Sequence, residues 1–420
     1  MDTFTAIACL FGIAAILSFI NDRYLGLQHD IGLLLLAVLT TAGLRILEVF
    51  IPTGIINLLH QLTQSFNLND TLLKGVLCFL LFRGSMRVSW IALREQRWLV
   101  LWLAIAGTAM ACFITGGLIY GGLSLLGVAI TLAQSLLFGA IIAATDPVAA
   151  LAILSKIGLP KNLETVVDGE SLLNDGVAVV FFSIFAGTAI ADSNASLVEA
   201  ASIFMHEVLG GVAMGMLGWL VIHYLMLRSK TFCTHLLVSM GAVASMYAGA
   251  QHSDVSGPIA TVVAGLLTGN ITGPKLCEAN LAPLRTFWSG LDEVLNALLF
   301  VFVGFHVVLI NPLQGILLGV PALVAIIAVL LARALTVSTI VSGLNAAGVI
   351  RADCFGLTLL LTWGGLRGAL SLALAVSLPD SSWKSLVLNM TFAVVVFSII
   401  IQGLTIQQIF TKERLVSLLR

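Results

Sequence analysis

Ala143-Ala144-Thr145-Asp146-Pro147-Val148 lies about halfway along an apolar run that extends from about 130 to 156. A proline removes one backbone donor and clashes with the carbonyl four residues back, so the stretch predicts a helix that opens in its middle. If the run crosses a membrane, the opening sets freed carbonyl oxygens beside a carboxylate at mid-bilayer depth. Such backbone is tolerated only where it is buried in protein or lines a cavity. Carbonyls with a carboxylate are the donors that a dehydrated monovalent cation needs.

Composition says that the run does cross a membrane. Of 420 residues, 59% are hydrophobic and 10% charged, and the mean hydropathy is +1.08. A span takes about 20 apolar residues at roughly 1.5 Å rise each, so about a dozen spans fill the chain and leave no room for a separate soluble domain. The formal charge is −1 with no basic tract, which excludes the electrostatic footprint of nucleic-acid binding. Cys9, Cys78, Cys112, Cys233, Cys277 and Cys354 are scattered singly and read as small buried hydrophobes rather than disulfides or metal ligands. The first run has no basic residue ahead of it and no small-residue cleavage site, so it reads as a retained helix rather than a signal peptide.

Apolar runs separated by short polar connections predict spans at about 4–20, 30–50, 69–86, 98–119, 130–156, 163–191, 200–227, 232–250, 256–271, 286–310, 315–343, 354–378 and 384–410, thirteen in all. Lys and Arg accumulate in cytoplasmic loops, which tests the count. Alternate connections hold 15 of the 20 basic residues and the intervening ones hold only Lys384, while Arg45, Lys74, Arg333 and Arg367 fall within spans. An error in the count would scramble that alternation. The expectation is an all-α polytopic membrane protein, multi-pass in the cell inner (plasma) membrane, with its N-terminus outside and its C-terminus cytoplasmic.

Ionisable groups inside spans cost several kcal/mol and therefore need a partner, water or a function. The sixth span carries Asp168-Gly169-Glu170-Ser171-Leu172-Leu173-Asn174-Asp175-Gly176. Asp175 lies roughly 18 Å along its axis, again near the midplane. Ser171, Asn174, Asp175 and Ala178 share one helical face, which offers a hydroxyl, an amide and a carboxylate. The twelfth span has Thr362-Trp363-Gly364-Gly365-Leu366-Arg367-Gly368-Ala369 in its middle, where three glycines weaken a helix by roughly 1 kcal/mol each.

The fifth and twelfth spans occupy corresponding places in two six-helix halves, about 4–191 and 232–410, joined by a linking helix at about 200–227. An odd offset inverts one half relative to the other, which is the plan of secondary transporters with crossed, interrupted helices at the substrate site. Arg367 then sits where opposed half-helix ends need charge compensation. Any single intramembrane aspartate could serve as a structural hydrogen-bonder, but two at matching depth, one at a proline break and one beside an amide, favour function. Gly211 and Gly215, in GxxxG spacing, read as a helix-packing device.

At these residues the chain resembles the NhaP and NHE-type sodium/proton antiporters. The matching stretches are Ala144-Thr145-Asp146-Pro147-Val148-Ala149, Gly169 through Ala178, Leu295-Asn296-Ala297-Leu298-Leu299-Phe300 and Trp363 through Ala369, in order and spacing. The resemblance implies a 13-helix inverted-repeat fold, a homodimer and an elevator-like motion. It implies that Asp175 binds the ion and carries the proton, with Asp146, Ser171 and the Thr145 carbonyl supporting Na⁺. Asn174 stands where electrogenic relatives have a second aspartate, which implies one cation for one proton. The resemblance also implies that Glu170 pairs with a basic residue, for which Arg333 is the choice, and that Arg367 stabilises the second break. One departure is Arg83, where the family's pattern leads one to expect an acid.

The function expected is a secondary antiporter, not an enzyme and without a cofactor, that exchanges Na⁺ for H⁺ in the service of pH and sodium homeostasis. Li⁺ or K⁺ could join or replace Na⁺, since oxygen donors alone do not select among them. An intramembrane aspartyl protease also uses two membrane aspartates, but here Asp146 precedes a proline and no Gly-x-Gly-Asp pattern occurs. A cation channel would have no use for a proton-coupling carboxylate.

Overall fold

A computed structural model describes residues 3–50, 54, 75–191, 197–309, 319–379 and 381–410, and in them the chain is helical, with no extended strand among the described residues. The helices are α1 (Thr3–Ile20), α2 (His29–Phe50), α3 (Leu77–Arg87), α4 (Trp90–Glu95), α5 (Arg97–Leu125), α6 (Leu132–Ala143), α7 (Pro147–Lys156), α8 (Lys161–Ala191), α9 (Leu197–Arg228), α10 (Phe232–His252), α11 (Gly257–Leu267), α12 (Glu278–Leu309), α13 (Gly319–Ala346), α14 (Cys354–Trp363), α15 (Ala369–Val376) and α16 (Lys384–Ile409). Eight of the described helices are long and apolar enough to cross a membrane. The chain is thus an integral membrane protein. The start of the predicted third span with Lys74, the start of the eleventh, and the basic tail of Lys412, Arg414 and Arg420 lie outside the described residues.

Local chemistry sets the boundaries at the first break. Thr131 and Gln134 form a reciprocal capping box that starts α6, the Gln134 N–H reaching the Thr131 hydroxyl at 3.2 Å and the Thr131 N–H reaching the Gln134 side chain at 3.0 Å. α6 ends where Ala144 turns extended (φ −59°, ψ 138°). Asp146 then caps α7, its Oδ1 accepting from the Val148 N–H at 2.9 Å, with Pro147 in the first helical position where its missing N–H is harmless. Asp-Pro here is the start of a new helix, not merely the end of an old one.

Packing sorts the helices into two groups. α5 lies against α6 and α13, α6 against α8, and α13 against α14 and α16. In the other group α2 packs on α12, and α11 is held by α3, α9 and α10. Within the second group α3, α9, α10, α11 and the first half of α12 share a separate core, in which the fully buried Trp288 of α12 sits 4.9 Å, ring to ring, from Phe82 of α3 and gives its indole N–H to Ser239 of α10 at 3.3 Å, while α2 and the rest of α12 join the main core. Gly211 and Gly215 let α9 lie directly on α11: a methyl group on Gly211 would meet the Ser256 carbonyl oxygen, and one on Gly215 that of Ala260.

All six cysteines are free. The expectation that they are small buried hydrophobes needs correction for two: Cys233 and Cys277 are exposed, while Cys78 and Cys112 are buried. Each exposed one lies at a helix end, Cys233 in the first turn of α10 and Cys277 just before α12, where packing has no use for an apolar group.

Candidate functional site

The two breaks cross and hold each other. At the first, the N–H of Asp146 donates to the Leu366 carbonyl of the second at 2.7 Å. From the second, the Arg367 guanidinium donates from one nitrogen to the carbonyls of Ala143 and Ala144, at 2.7 and 3.1 Å. Those carbonyls are the orphan acceptors left where α6 stops, so a fixed cation meets the negative end of a half-helix. Gly368 passes so close to Asp146 that any side chain there would collide with its carboxylate. The backbone of the second break is tied to α16, where the Ser398 hydroxyl accepts the Arg367 N–H at 2.9 Å and Gln402 donates to the Trp363 carbonyl at 3.4 Å. Both residues lie in a π-type turn, Ser398–Gln402, which widens the helix beside the site.

α8 runs alongside. Asn174 is fully buried and its amide donates to the Thr145 hydroxyl at 2.6 Å and to Glu170 at 3.1 Å, while its oxygen accepts the Thr145 N–H at 3.4 Å. Ser171 bonds the same Thr145 hydroxyl at 2.8 Å. Glu170 and Arg333 form an ion pair through two parallel contacts of 2.8 Å, and Arg333 also donates to the Leu361 carbonyl near the end of α14. The last full turn of α14, the opening of α6 and the face of α8 are therefore one polar network in which nearly every donor has an acceptor.

In front of this network lies a cavity of about 110 Å³ between the two helix groups, lined by Thr145, Asp146 and Asp175 from one and by Gly84, Asp292 and Asn296 from the other. Both aspartates are part-buried. Thr145, Asp146 and Asp175 are thus on one cavity wall, whereas Ser171 and Asn174 stand a layer behind and hold Thr145 in place. Arg87 of α3 is bonded to Asp168 of α8 at the same cavity, the pair being partly exposed. Asp292, Ser398 and Gln402 carry no weight in the sequence reading, Arg87 enters it only as a loop charge and Asn296 only as part of a matching stretch. Asp292 and Asn296 had a signal, an acid and an amide four residues apart inside an apolar run; Ser398 and Gln402 had none, since their role depends on which break they face. At Arg83, the departure from the pattern, the side chain is part-buried and its Nε has no hydrogen-bond partner among the described residues.

Comparison with known proteins bears on this geometry. Residues 32–412 match the family model described as "Sodium/hydrogen exchanger, transmembrane". The chain is 36% identical over 413 residues to the Na⁺/H⁺ antiporter NhaP of Pseudomonas aeruginosa, covering 95% of this chain and 94% of that one. It is 33% identical over 365 residues to the Na⁺/H⁺ antiporter NhaH of Halobacillus dabanensis, covering 84% and 85%. Among solved structures, the sodium proton antiporter MjNhaP1 of Methanocaldococcus jannaschii at pH 8 superposes with a TM-score of 0.75 over 96% of this chain and 100% of that one, at 21% identity, which is a likeness of fold.

Proposed function

The chain belongs to the sodium/hydrogen exchanger family and exchanges Na⁺ for H⁺ across a membrane, and from that premise we propose that Asp175 is the group for which the two ions compete. The observation that carries the assignment is the cavity itself: Asp175 and Asp146 line it together, backed by a network in which Ser171 and Asn174 hydrogen-bond Thr145. A carboxylate in such a place holds a proton or a cation. The empty, charged form is costly to carry through a low-dielectric barrier, so the site moves only when occupied, and that penalty couples the two fluxes.

In this reading Asp146 and the Thr145 oxygens share the cation, Ser171 and Asn174 position Thr145, and Arg367 and the Glu170–Arg333 pair fix the scaffold. Asn174 contributes an amide and no charge, so a single carboxylate titrates with the ion and exchange is electroneutral, one for one. Alternating access follows from movement of one helix group against the other, since the cavity lies between them. The wider reading is one transporter unit of thirteen crossings built from two inverted repeats, working as a homodimer in the plasma membrane with the C-terminus cytoplasmic. Its role is pH and sodium homeostasis, without a cofactor.

The test uses proteoliposomes with an internal pH dye, given pulses of Na⁺, Li⁺ and K⁺ with the membrane potential clamped and free. Na⁺ is expected to drive proton movement that ignores the potential, and Asp175→Asn to fall to background while its thermal melting is kept. Full exchange in Asp175→Asn would remove Asp175 from the mechanism, and a flux that generates a potential would remove the one-for-one stoichiometry.

A further inference from the structure

We propose that Ser371, in the first turn of α15, is a ligand of the transported cation, so that the second broken helix contributes an oxygen to the site and not only a charge to the scaffold. The proposal rests on the reading of the Asp175 cavity as the ion site. Ser371 lines that cavity together with Asp146 and Asp175, yet it is only 1% exposed and its Oγ has no hydrogen-bond partner among the described residues. Of the buried hydroxyls in that condition, it is the one on the cavity wall.

The reason it lacks a partner is the break. Buried hydroxyls elsewhere in this protein fold back on the carbonyl four residues earlier: Thr41 on Ala37, Thr108 on Ala104, Thr261 on Gly257 and Thr391 on Val387, at 2.6 to 2.9 Å. For Ser371 the residue four earlier is Arg367, which lies in the break, and the residue three earlier is the extended Gly368 (φ −116°, ψ −161°). The Arg367 carbonyl therefore precedes the helix and does not stand in register beneath the hydroxyl, and the Ser371 Oγ makes no bond to the Gly368 carbonyl either. A buried polar atom left in this way is a costly choice for a purely apolar wall, where alanine would serve. A neutral hydroxyl oxygen beside two carboxylates is, however, a fitting donor for a small monovalent cation. Gly368 brings the start of α15 against the Asp146 carboxylate, and Ser371 shares the cavity wall with it, so in this proposal both serve one ion.

The experiment compares wild type, Ser371→Ala, Ser371→Cys, Ser371→Thr and Asp175→Asn as full-length protein, reading the apparent KM for Na⁺ and the maximal rate in proteoliposomes. It also reads the melting temperature in detergent with and without Na⁺. Ser371→Ala is expected to raise the KM for Na⁺ about tenfold, the effect of one lost oxygen contact to a charge. The maximal rate stays within about twofold, the ion-free melting temperature is unchanged or higher because an unsatisfied atom has gone, and the rise on adding Na⁺ shrinks. Ser371→Cys, of nearly the same volume but with a soft sulfur that suits Na⁺ poorly, should behave likewise. Ser371→Thr, which keeps the oxygen, should restore the KM. A KM within twofold of wild type in both Ser371→Ala and Ser371→Cys would overturn the proposal, as would a lower ion-free melting temperature or a loss of maximal rate with the KM kept. Exchange and a Na⁺-dependent melting shift persisting in Asp175→Asn would instead defeat the assignment of the site, a different result from an inert Ser371.

Discussion

Glu170 of α8 and Arg333 of α13, 163 residues apart, meet through two parallel hydrogen bonds of 2.8 Å with 2% and 5% of their surfaces exposed. Each has a further tie. Glu170 accepts from Asn174, the residue before Asp175, and Arg333 donates to the Leu361 carbonyl near the second break. The pair thus connects the helix that carries Asp175 to the end of α14 through a fork of planar donors.

Breaking one side of that pair should unfold the region rather than tune transport. Glu170→Gln leaves a buried guanidinium without its anion, a change that costs about 3–5 kcal/mol. The expected outcome is a melting temperature in detergent well below wild type. Arg333→Lys keeps the charge but loses the fork and one of the bonds to Leu361, so its loss should be smaller. Glu170→Gln that melts like wild type would mean that the pair contributes nothing net to the fold.

Competition for one carboxylate makes a signed statement about pH. As pH falls, protons occupy Asp175 and the apparent KM for Na⁺ rises, approaching about tenfold per pH unit once the carboxylate is mostly protonated. Rates measured at saturating Na⁺ should change much less over the same range. The check is a set of Na⁺ titrations at several pH values; a KM independent of pH would place the proton and the cation on different groups.

Gly368 offers a steric test of the crossing. Any Cβ there would run into the Asp146 carboxylate, and overpacking of this kind costs about 1–3 kcal/mol, to be relieved by displacing Asp146 or α15. Gly368→Ala should therefore reduce Na⁺ affinity about tenfold or more, in line with that cost. Gly241, beside which a Cβ meets nothing within 4 Å, is the control, and its alanine variant should transport normally.

Much of the fold was legible because the bilayer permits so little. Apart from α4, which lies in the connection between the third and fourth runs, the described helices fall on the predicted apolar runs, and the breaks at Pro147 and at Gly364 to Gly368 interrupt the two runs that the sequence marks. Proline and glycine act through their own backbones, so their effect can be read without knowing the neighbours. The site was legible in part for the same reason. Thr145, Asp146 and Asp175 carry polar groups where polarity is expensive, and they line one cavity.

What the sequence could not state was which polar group faces which. Ser171 and Asn174 share the helical face of Asp175, yet they stand behind Thr145, because the helix turns by about 100° per residue and only the position of α6 decides which turn meets the cavity. Asp292 and Asn296 reach the cavity from α12, more than a hundred residues away from Asp175, through packing of one helix group on the other. Ser371 lacks the usual back-bond because the residue four before it lies in the break. The amino-acid sequence by itself determined the membrane-spanning helices, the two interruptions and the carboxylates, since each follows from the cost of polar backbone and charge in hydrocarbon. The tertiary structure alone decided the crossing of the interruptions, the Arg367 contact to Ala143 and Ala144 and the unsatisfied hydroxyl of Ser371, because these depend on distances between segments that no local rule sets.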